Sequence, residues 1–272
     1  MARKGISLHI GLNAVDPVHY GGWDGALQAC EFDAKDMRAI AQGLGYQSTL
    51  LLTKEASADA VQGAIVDAAK VLADGDIFLL TYSGHGGQVP DTNGDEKDPG
   101  RQDETWVLYD RQLIDDELWA LWRRFRKGVR IFVLSDSCHS GTVTRAMPAL
   151  PAKGPVPRIR LLPPTQAAKV YRRHAKLYDG IQAAVPAGEK GVVGASVILI
   201  SGCLDNQFSL DGNRNGLFTE NLKKVWKKGA FAGTYRKFRD TIAQKMPAQQ
   251  TPQYSLVGRA NPMFEAQKPF AI

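Results

Sequence analysis

Short apolar runs, each bounded by polar or turn residues, recur along the chain and constrain its fold more than any other feature of the sequence. Runs of this kind are typical of strands that are buried on both faces of a parallel sheet. The predicted strands are Ile6–Leu12, Ser48–Leu52, Asp76–Tyr82, Val129–Ser135 and Ser196–Ser201, with a weaker one at Trp106–Tyr109.

Helical patterns fill the gaps between these runs, because apolar residues recur there at intervals of three and four. The predicted helices are Ala29–Leu44, Ser57–Leu72, Asp115–Arg126, Leu217–Lys227 and Thr234–Lys245. This alternation predicts an α/β fold, a three-layer α/β/α sandwich around a mostly parallel sheet of about six strands. A chain of 272 residues is long enough to bury such a sheet in a single domain.

A segment rich in proline and basic residues, 142–194, interrupts the pattern. We expect one domain over residues 1–272, made of a first part (1–141), this insertion or linker, and a second part (195–272). Its prolines block regular structure over much of its length, although the middle, Thr165–Val185, has a pattern that can form a helix.

Charge and composition exclude several classes of partner. The net charge of +6 and the pI near 9.2 come largely from the proline-rich segment, so we do not expect a nucleic-acid surface. No apolar run approaches the roughly 18 residues of a membrane span, and we interpret the opening MARKGISLHIGLN as a first strand rather than a signal peptide. The three cysteines have no paired spacing, which favours a reducing compartment and the cytoplasm.

Two of the predicted strands are followed by reactive side chains. His85 lies in Ser-Gly-His-Gly-Gly after one strand, and Cys138 lies in Asp-Ser-Cys-His-Ser-Gly after another. The carboxyl ends of parallel strands meet at one edge of a sheet, so the two motifs are expected to be close. A thiol attacks a carbonyl as thiolate and needs an imidazole to handle its proton. We therefore predict Cys138 as nucleophile and His85 as its acid and base, with the N–H groups of Gly86 and Cys138 stabilising an oxyanion.

The sequence around these residues resembles a known family. The motifs TYSGHGGQ, DTNGDEKD, LIDDEL and DSCHSG are similar to the p20-type region of metacaspases and bacterial orthocaspases. The motifs ISGCLDNQFSLDGNRNGLFT and QTPQYSLVG are similar to their p10-type region. The resemblance covers nearly the whole chain apart from the proline-rich segment. It implies the caspase-hemoglobinase fold, a dyad of His85 and Cys138, and a monomer.

The resemblance also implies cleavage after Arg or Lys, which requires an acidic pocket because a buried cation without a counter-charge is costly. Asp136 and Asp33 match the two acidic residues of the family's pocket, and Ser83 matches a pocket serine. Asp33 can instead be a solvated residue in the first turn of a helix. If substrates are basic, the proline-rich segment is itself a candidate for self-cleavage. No organic cofactor is implied.

Many metacaspases need calcium, and here the sequence departs from the family. Asp115 and Asp116 match two calcium ligands, but Arg145 stands where a further Asp is expected. A cation at that position weakens a calcium site, so we expect activity without a metal. Two stretches similar to EF-hand loops, 91–95 and 211–216, lack a required Gly or Glu, and we interpret them as polar loops.

Other interpretations remain open from the sequence. The chain can be a catalytically silent regulatory or binding module of caspase type, or a related peptidase with legumain-like or gingipain-like specificity. A zinc site made of His85, Cys138 and His139 would lack a fourth ligand and would occupy the nucleophile. Cys203 is expected to contribute packing or a pocket wall, and Asp205 is a candidate for the substrate cleft.

Overall fold

The computed structural model describes residues 2–94, 96, 102–138, 158–185, 192–204 and 207–272. The strands are β1 (Gly5–Gly11), β2 (Gln47–Leu52), β3 (Ile77–Ser83), β4 (Gly86–Pro90), β5 (Gln102–Val107), β6 (Gln112–Ile114), β7 (Arg130–Asp136), β8 (Ser196–Ser201) and β9 (Gln253–Gly258). The helices are α1 (Cys30–Gly43), α2 (Ala58–Val71), α3 (Asp115–Trp122), α4 (Pro164–Arg173), α5 (Ala175–Ala183), α6 (Leu217–Trp226), α7 (Tyr235–Ala243) and α8 (Pro262–Glu265).

Six of these strands form one mostly parallel sheet in the order β2-β1-β3-β7-β8-β9. All neighbours in it are parallel except β9, which pairs antiparallel with β8. The strands β3 and β7 are adjacent, and Ser83 at the end of one is the register partner of Asp136 at the end of the other. This register determines which two loops meet at the carboxyl edge of the sheet.

Helices cover both faces of the sheet because the side chains of each strand alternate between them. In β3, Phe78 and Leu80 pack on the side of α2 and α3. Ile77 and Leu79, on the opposite face, pack on the side of α1, α6 and α7. Burial of each such side chain contributes about 1.5–3 kcal/mol. The predicted three-layer α/β/α sandwich with a mostly parallel sheet is confirmed.

A second, antiparallel sheet of three strands has the order β4-β5-β6. The weak strand predicted at Trp106–Tyr109 overlaps β5 and therefore belongs to this sheet and not to the main one. The sixth strand of the main sheet is β9, which the sequence patterns did not predict as a strand. It lies at the edge and its residues are half-buried or exposed, so it has no apolar run that periodicity could detect.

The described part of the proline-rich segment folds back onto the rest of the domain. It contains two helices, α4 and α5, instead of one, and the chain changes direction at His174 between them. Leu162, Val170 and Tyr178 pack with Tyr20 and with the second sheet. Residues 158–185 therefore form a structured part of the domain.

None of the helices in the described ranges is long and apolar enough to cross a membrane.

Candidate active site

The carboxyl ends of β3 and β7 bring the two reactive motifs to one place. His85 follows the end of β3 by two residues, and Cys138 follows the end of β7 by two residues. Both are buried, with exposed fractions of 5% for His85 and 0% for Cys138. The structure thus brings the two motifs that the sequence nominated separately to the same edge of the sheet.

The imidazole of His85 is held in one orientation by the loop before α1. Its Nε2 lies 2.9 Å from the carbonyl oxygen of Gly25, and the ring packs against Trp23 with centroids 4.7 Å apart. A carbonyl only accepts, so Nε2 carries the proton and Nδ1 is the basic nitrogen. Nδ1 is buried and makes no direct hydrogen bond to any described residue. Burial lowers the pKa of His85 to about 4, the Gly25 carbonyl opposing that effect.

The thiol of Cys138 lies in a small apolar cluster with Cys203 and Phe208. The backbone N–H of Ser209 donates to its Sγ, and Sγ lies 3.6 Å from the carbonyl oxygen of the same residue. The sulfur of Cys203 lies 3.4 Å from the carbonyl oxygen of Ser137. Cys203 therefore packs beside the nucleophile candidate, in agreement with the expectation for it.

A peptide of the chain's own proline-rich segment lies against both motifs. The carbonyl oxygen of Arg160 accepts hydrogen bonds from the N–H of Gly86 at 3.0 Å and from the N–H of Cys138 at 3.1 Å. These are the two donors nominated for an oxyanion. Two backbone donors aimed at one carbonyl oxygen can stabilise the negative charge that this oxygen gains when a nucleophile attacks.

The side chain of Arg160 points into an acidic pocket and is fully buried. Its Nη2 lies 2.7 Å from Oδ2 of Asp33, and its Nη1 lies 2.8 Å from Oδ2 of Asp136. Nη1 also donates to Oγ of Ser83 at 2.8 Å. The three residues nominated for the pocket thus surround one guanidinium. Asp33 is 1% exposed, so its alternative interpretation as a solvated helix residue is wrong.

The pocket contains a third carboxylate that sequence reasoning missed. Oδ1 of Asp211 lies 3.0 Å from Nη2 of Arg160. The same carboxylate accepts the N–H groups of Gln28 and Ala29, at 2.8 Å and 3.2 Å, just before α1. The 211–216 stretch, interpreted from the sequence as a polar loop, therefore also contributes a side chain to this pocket. Asp211 is visible in the sequence as an acidic residue, but its stretch resembles an imperfect EF-hand loop, which gives no reason to place it in a substrate pocket.

Hydrogen bonds from the same loop hold Asp33 in place. The N–H of Gly216 donates to Oδ1 of Asp33 at 3.1 Å, and Nδ2 of Asn215 donates to the same oxygen at 2.9 Å. Burial raises the pKa of Asp33 to about 6, the positive charge of Arg160 opposes the rise, and the charge of Asp136 adds to it. One guanidinium thus faces three carboxylates in a site without water access, which favours an occupant with a full positive charge.

Gln250 is a second residue that sequence reasoning missed, and it braces the loop over Cys138. Its buried amide accepts from the N–H of Leu210 at 3.2 Å and donates to Oγ of Ser209 at 3.1 Å. Oγ of Ser209 in turn donates to Asp136. Gln250 lies in the QTPQ motif, where its amide gave no hint of this role because its partners are 40 residues away.

The residues that match the family's calcium ligands do not assemble a metal site here. Oδ2 of Asp116 accepts a hydrogen bond of 2.7 Å from Nδ2 of Asn93, which also donates to the carbonyl of Val185. Among the described residues, no group of three or more His, Cys, Asp or Glu side chains is arranged to hold a metal ion.

Three residues discussed from the sequence, Arg145, His139 and Asp205, lie outside the described residues.

The chain has relatives among metacaspases of fungi. It is 30% identical over 266 residues to metacaspase-1 of Saccharomyces cerevisiae, a match that covers 78% of this chain and 57% of that protein. It is 33% identical over 139 residues to metacaspase-1A of Aspergillus fumigatus, covering 46% of this chain and 33% of that one. The chain thus matches between about a third and three fifths of the length of these relatives.

Two solved structures have the same architecture. A crystal structure of a protein from Geobacter sulfurreducens is 51% identical with a TM-score of 0.90, and the match covers 98% of both chains. Caspase-1 of Spodoptera frugiperda has a TM-score of 0.57 at 10% identity over 94% of this chain and 86% of that one, which shows a shared fold alone. The family model described as the caspase domain matches residues 11–265, nearly the whole length, and the chain therefore belongs to the caspase domain family.

Proposed function

We propose that the chain is a cysteine endopeptidase that hydrolyses peptide bonds after Arg or Lys, with Cys138 as nucleophile and His85 as acid and base. One observation carries the proposal. The carbonyl of Arg160 rests between the N–H groups of Gly86 and Cys138 while its guanidinium fills a pocket of carboxylates. A peptide with a basic residue would be oriented for attack if it were bound in the same way.

In the first half of the reaction, Sγ of Cys138 forms a bond to the carbonyl carbon of the residue in the pocket. His85 holds the thiol proton on Nδ1, and the N–H groups of Gly86 and Cys138 stabilise the oxyanion. The bond from carbon to the leaving nitrogen then breaks, and His85 transfers its proton to that nitrogen. The products are a thioester on Cys138 and a free amine.

In the second half, water attacks the thioester carbonyl. His85 takes a proton from the water, the same two N–H groups stabilise the second oxyanion, and the bond to sulfur breaks. The carboxylate product leaves, and Cys138 regains its proton from His85.

The charge of the pocket favours a basic residue before the scissile bond over an Asp or an Asn. Asp33, Asp136 and Asp211 make the site strongly negative, which repels Asp, and a neutral Asn would leave the charge of these carboxylates uncompensated. This disfavours caspase-like and legumain-like specificities. Arg presents a planar fork that can contact several carboxylates at once, whereas Lys presents a single ammonium on a flexible stem.

The proposal also includes the substrates, the oligomeric state and the cellular location of the enzyme. We propose that its substrates are peptides or proteins, its own basic segment among them, and that it acts as a monomer in the cytoplasm without nucleic acid, membrane or cofactor.

The test is hydrolysis of fluorogenic peptides with Arg, Lys, Asp or Asn before the scissile bond. The wild type and Arg160→Ala, which leaves the pocket free, are each compared with their Cys138→Ala counterparts, with calcium and with chelator. We expect cleavage after Arg and Lys in at least the Arg160→Ala background, unchanged by chelator and lost without Cys138.

Asp136→Asn tests the pocket, and Asp76→Asn is its matched control. Asp76 is also a buried aspartate, but it accepts hydrogen bonds from Lys4 and Ala73, away from the site. We expect only Asp136→Asn to abolish cleavage of basic peptides. Absence of any hydrolysis by folded Arg160→Ala would overturn the proposal in favour of a catalytically silent module.

A further inference from the structure

A cavity of about 410 Å³ lies between the main sheet, α3 and the second sheet. Its floor consists of alternate residues of β7, β8 and β9, among them Ser135, Leu199 and Ser255, which face the same side of the sheet. Packed interiors rarely contain a void of this size, whereas volumes of about 300–1,000 Å³ are usual for small-molecule sites. The cavity is therefore large enough for an organic ligand.

Three of the chain's five tryptophans line this cavity. Trp106 comes from β5, and Trp119 and Trp122 come from α3. The face of an indole ring is apolar and carries negative electrostatic potential, so it attracts organic cations as well as hydrocarbon groups. The aromatic walls thus favour a ligand with an apolar body and a positive charge.

Two acidic side chains, Glu104 and Asp115, line the same cavity. The pairing of β5 with β6 joins Thr105 to Ile114, so Glu104 and Asp115 occupy the next pair of positions in that register. Like charges at opposite positions of neighbouring strands repel each other, and a cation between them removes the repulsion. The carboxylates therefore favour a cationic group at this end of the ligand.

Trp106 connects the cavity to the loop of His85. Its indole ring stacks on the ring of Tyr82 with centroids 4.5 Å apart. The hydroxyl of Tyr82 donates to the carbonyl oxygen of His85 at 2.6 Å. A ligand that packs on Trp106 therefore restrains a ring that helps to hold the backbone of the proposed acid and base.

Trp106 also connects the cavity to the motif of Cys138. Its Nε1 donates to Oγ of Ser135 at 3.0 Å, and Ser135 is itself part of the cavity floor. The hydroxyls of Ser135 and Ser137 share a hydrogen bond of 3.0 Å, and Ser137 immediately precedes Cys138. One tryptophan thus contacts supports of both reactive motifs.

We propose that this cavity binds an organic ammonium compound with an apolar body and that its occupancy raises the turnover rate of the enzyme. The ammonium group lies at Glu104 and Asp115, and the apolar body lies against the three indoles. A restrained Trp106 leaves the two motifs less freedom to lose when the transition state forms, which increases kcat. The binding is independent of the proposed function, whereas the effect on kcat rests on it.

The probe for the site is phenylbutylamine, which is protonated at neutral pH, and phenylbutanol is its uncharged match. Calorimetry and tryptophan fluorescence measure binding to Cys138→Ala, in which Arg160 fills the acidic pocket. We expect a Kd below about 1 mM for the amine and a Kd about tenfold higher for the alcohol. Equal Kd values would overturn the assignment of a cationic ligand, and no binding of either compound would overturn the site.

Glu104→Gln removes one of the two charges, and Glu31→Gln is the matched control. Glu31 is also half-buried, but it lies in α1 on the opposite face of the sheet, where it pairs with Lys35. We expect the Kd of the amine to rise about tenfold in Glu104→Gln alone, because hydrogen bonds between charged groups are the strong ones. An equal rise in both variants would contradict the role of Glu104.

Ser255→Phe tests the site by filling it. Ser255 is half-buried in the edge strand β9, so a larger side chain there enters the cavity with little disturbance of the central strands. We expect this variant to bind no amine. Full binding by folded Ser255→Phe would place the probe elsewhere and overturn the proposal.

The effect on rate is measured with Arg peptides in the Arg160→Ala background. An amine bound in the emptied acidic pocket would raise KM alone, whereas the cavity ligand should raise kcat about twofold or more, and only while Ser255 is unchanged. Binding without a rise in kcat would show that the coupling is wrong. If folded Arg160→Ala hydrolyses no peptide, the proposed function fails and the coupling fails with it, while the ligand site stands on its Kd values.

Discussion

Asp211 lies 3.0 Å from the guanidinium of Arg160, although the two residues are 51 positions apart and both are almost completely buried. The contact is possible because the 211–216 loop meets the start of α1 and is fixed there by the N–H groups of Gln28 and Ala29. It adds a third carboxylate to the pocket of Asp33 and Asp136, and it suggests how the pocket distinguishes one basic side chain from another.

We predict that Asp211→Asn reduces kcat/KM for Arg peptides by about tenfold to a hundredfold, because a charge-assisted hydrogen bond contributes about 1.5–3 kcal/mol. Lys peptides should lose less, since an ammonium cannot contact all three carboxylates as a guanidinium does. The measurement is the ratio of Arg to Lys hydrolysis in the Arg160→Ala background, with Asp76→Asn as control. An unchanged ratio would remove Asp211 from the specificity pocket.

Gly216 forms the floor of the pocket, and we predict that Gly216→Ala weakens binding of Arg. A Cβ at this position would lie 2.5 Å from Nη2 of Arg160, far inside contact distance. We expect KM for Arg peptides to rise about tenfold or more, since overpacking costs about 1–3 kcal/mol. Gly63→Ala in α2 is the control, because a Cβ there meets nothing within 4 Å. Equal KM values in the two variants would contradict this steric role.

Much of the fold followed from local patterns in the sequence. The central strands are buried on both faces and so appear as apolar runs, and the register of Ser83 with Asp136 is what a parallel sheet requires of two motifs at neighbouring strand ends. The edge strand β9 had no such signature, since its side chains are half-buried or exposed and its stability comes from pairing with β8.

The residues of the candidate site also divide into those that a local motif identifies and those that only the path of the chain brings there. His85, Cys138, Asp33 and Asp136 were found because their residue types and motifs carry chemical meaning. Arg160 could not be found, because it is one of many basic residues in a proline-rich segment and only the path of the chain selects it. Its selection depends on long-range packing of Leu162 and the helices that follow, which no local pattern encodes.

The imidazole of His85 should titrate differently when the bound segment is removed. Burial first, and the charge of Arg160 among the smaller effects, lower its pKa to about 4, while Asp211 opposes them. We predict that the pKa rises toward the ordinary value of 6.5 in Arg160→Ala, because both the cation and part of the burial are lost. Imidazole NMR titration measures this shift, with Cys138→Ala in both samples to prevent cleavage. Equal pKa values in the two proteins would show that the segment does not control His85.

The contact between His19 and His174 makes the docking of α4 and α5 sensitive to acid. Burial, followed by the charge of His174, lowers the pKa of His19 to about 4, and its Nε2 lies 2.9 Å from the hydroxyl of Tyr178. Asp110 and Asp16 oppose the shift.

Because the pKa of His19 is lower when α5 is docked than when His19 is free, the undocked form binds more protons between pH 6.5 and about 4. Docking is therefore at full strength above pH 6.5 and weakens as the pH falls through this window. We predict faster amide exchange in residues 164–183 at acid pH, after correction for intrinsic rates and relative to α2. His19→Gln should remove most of this pH dependence while keeping a partner for Tyr178. If the variant and the wild type respond equally to acid, another group controls the docking of these helices.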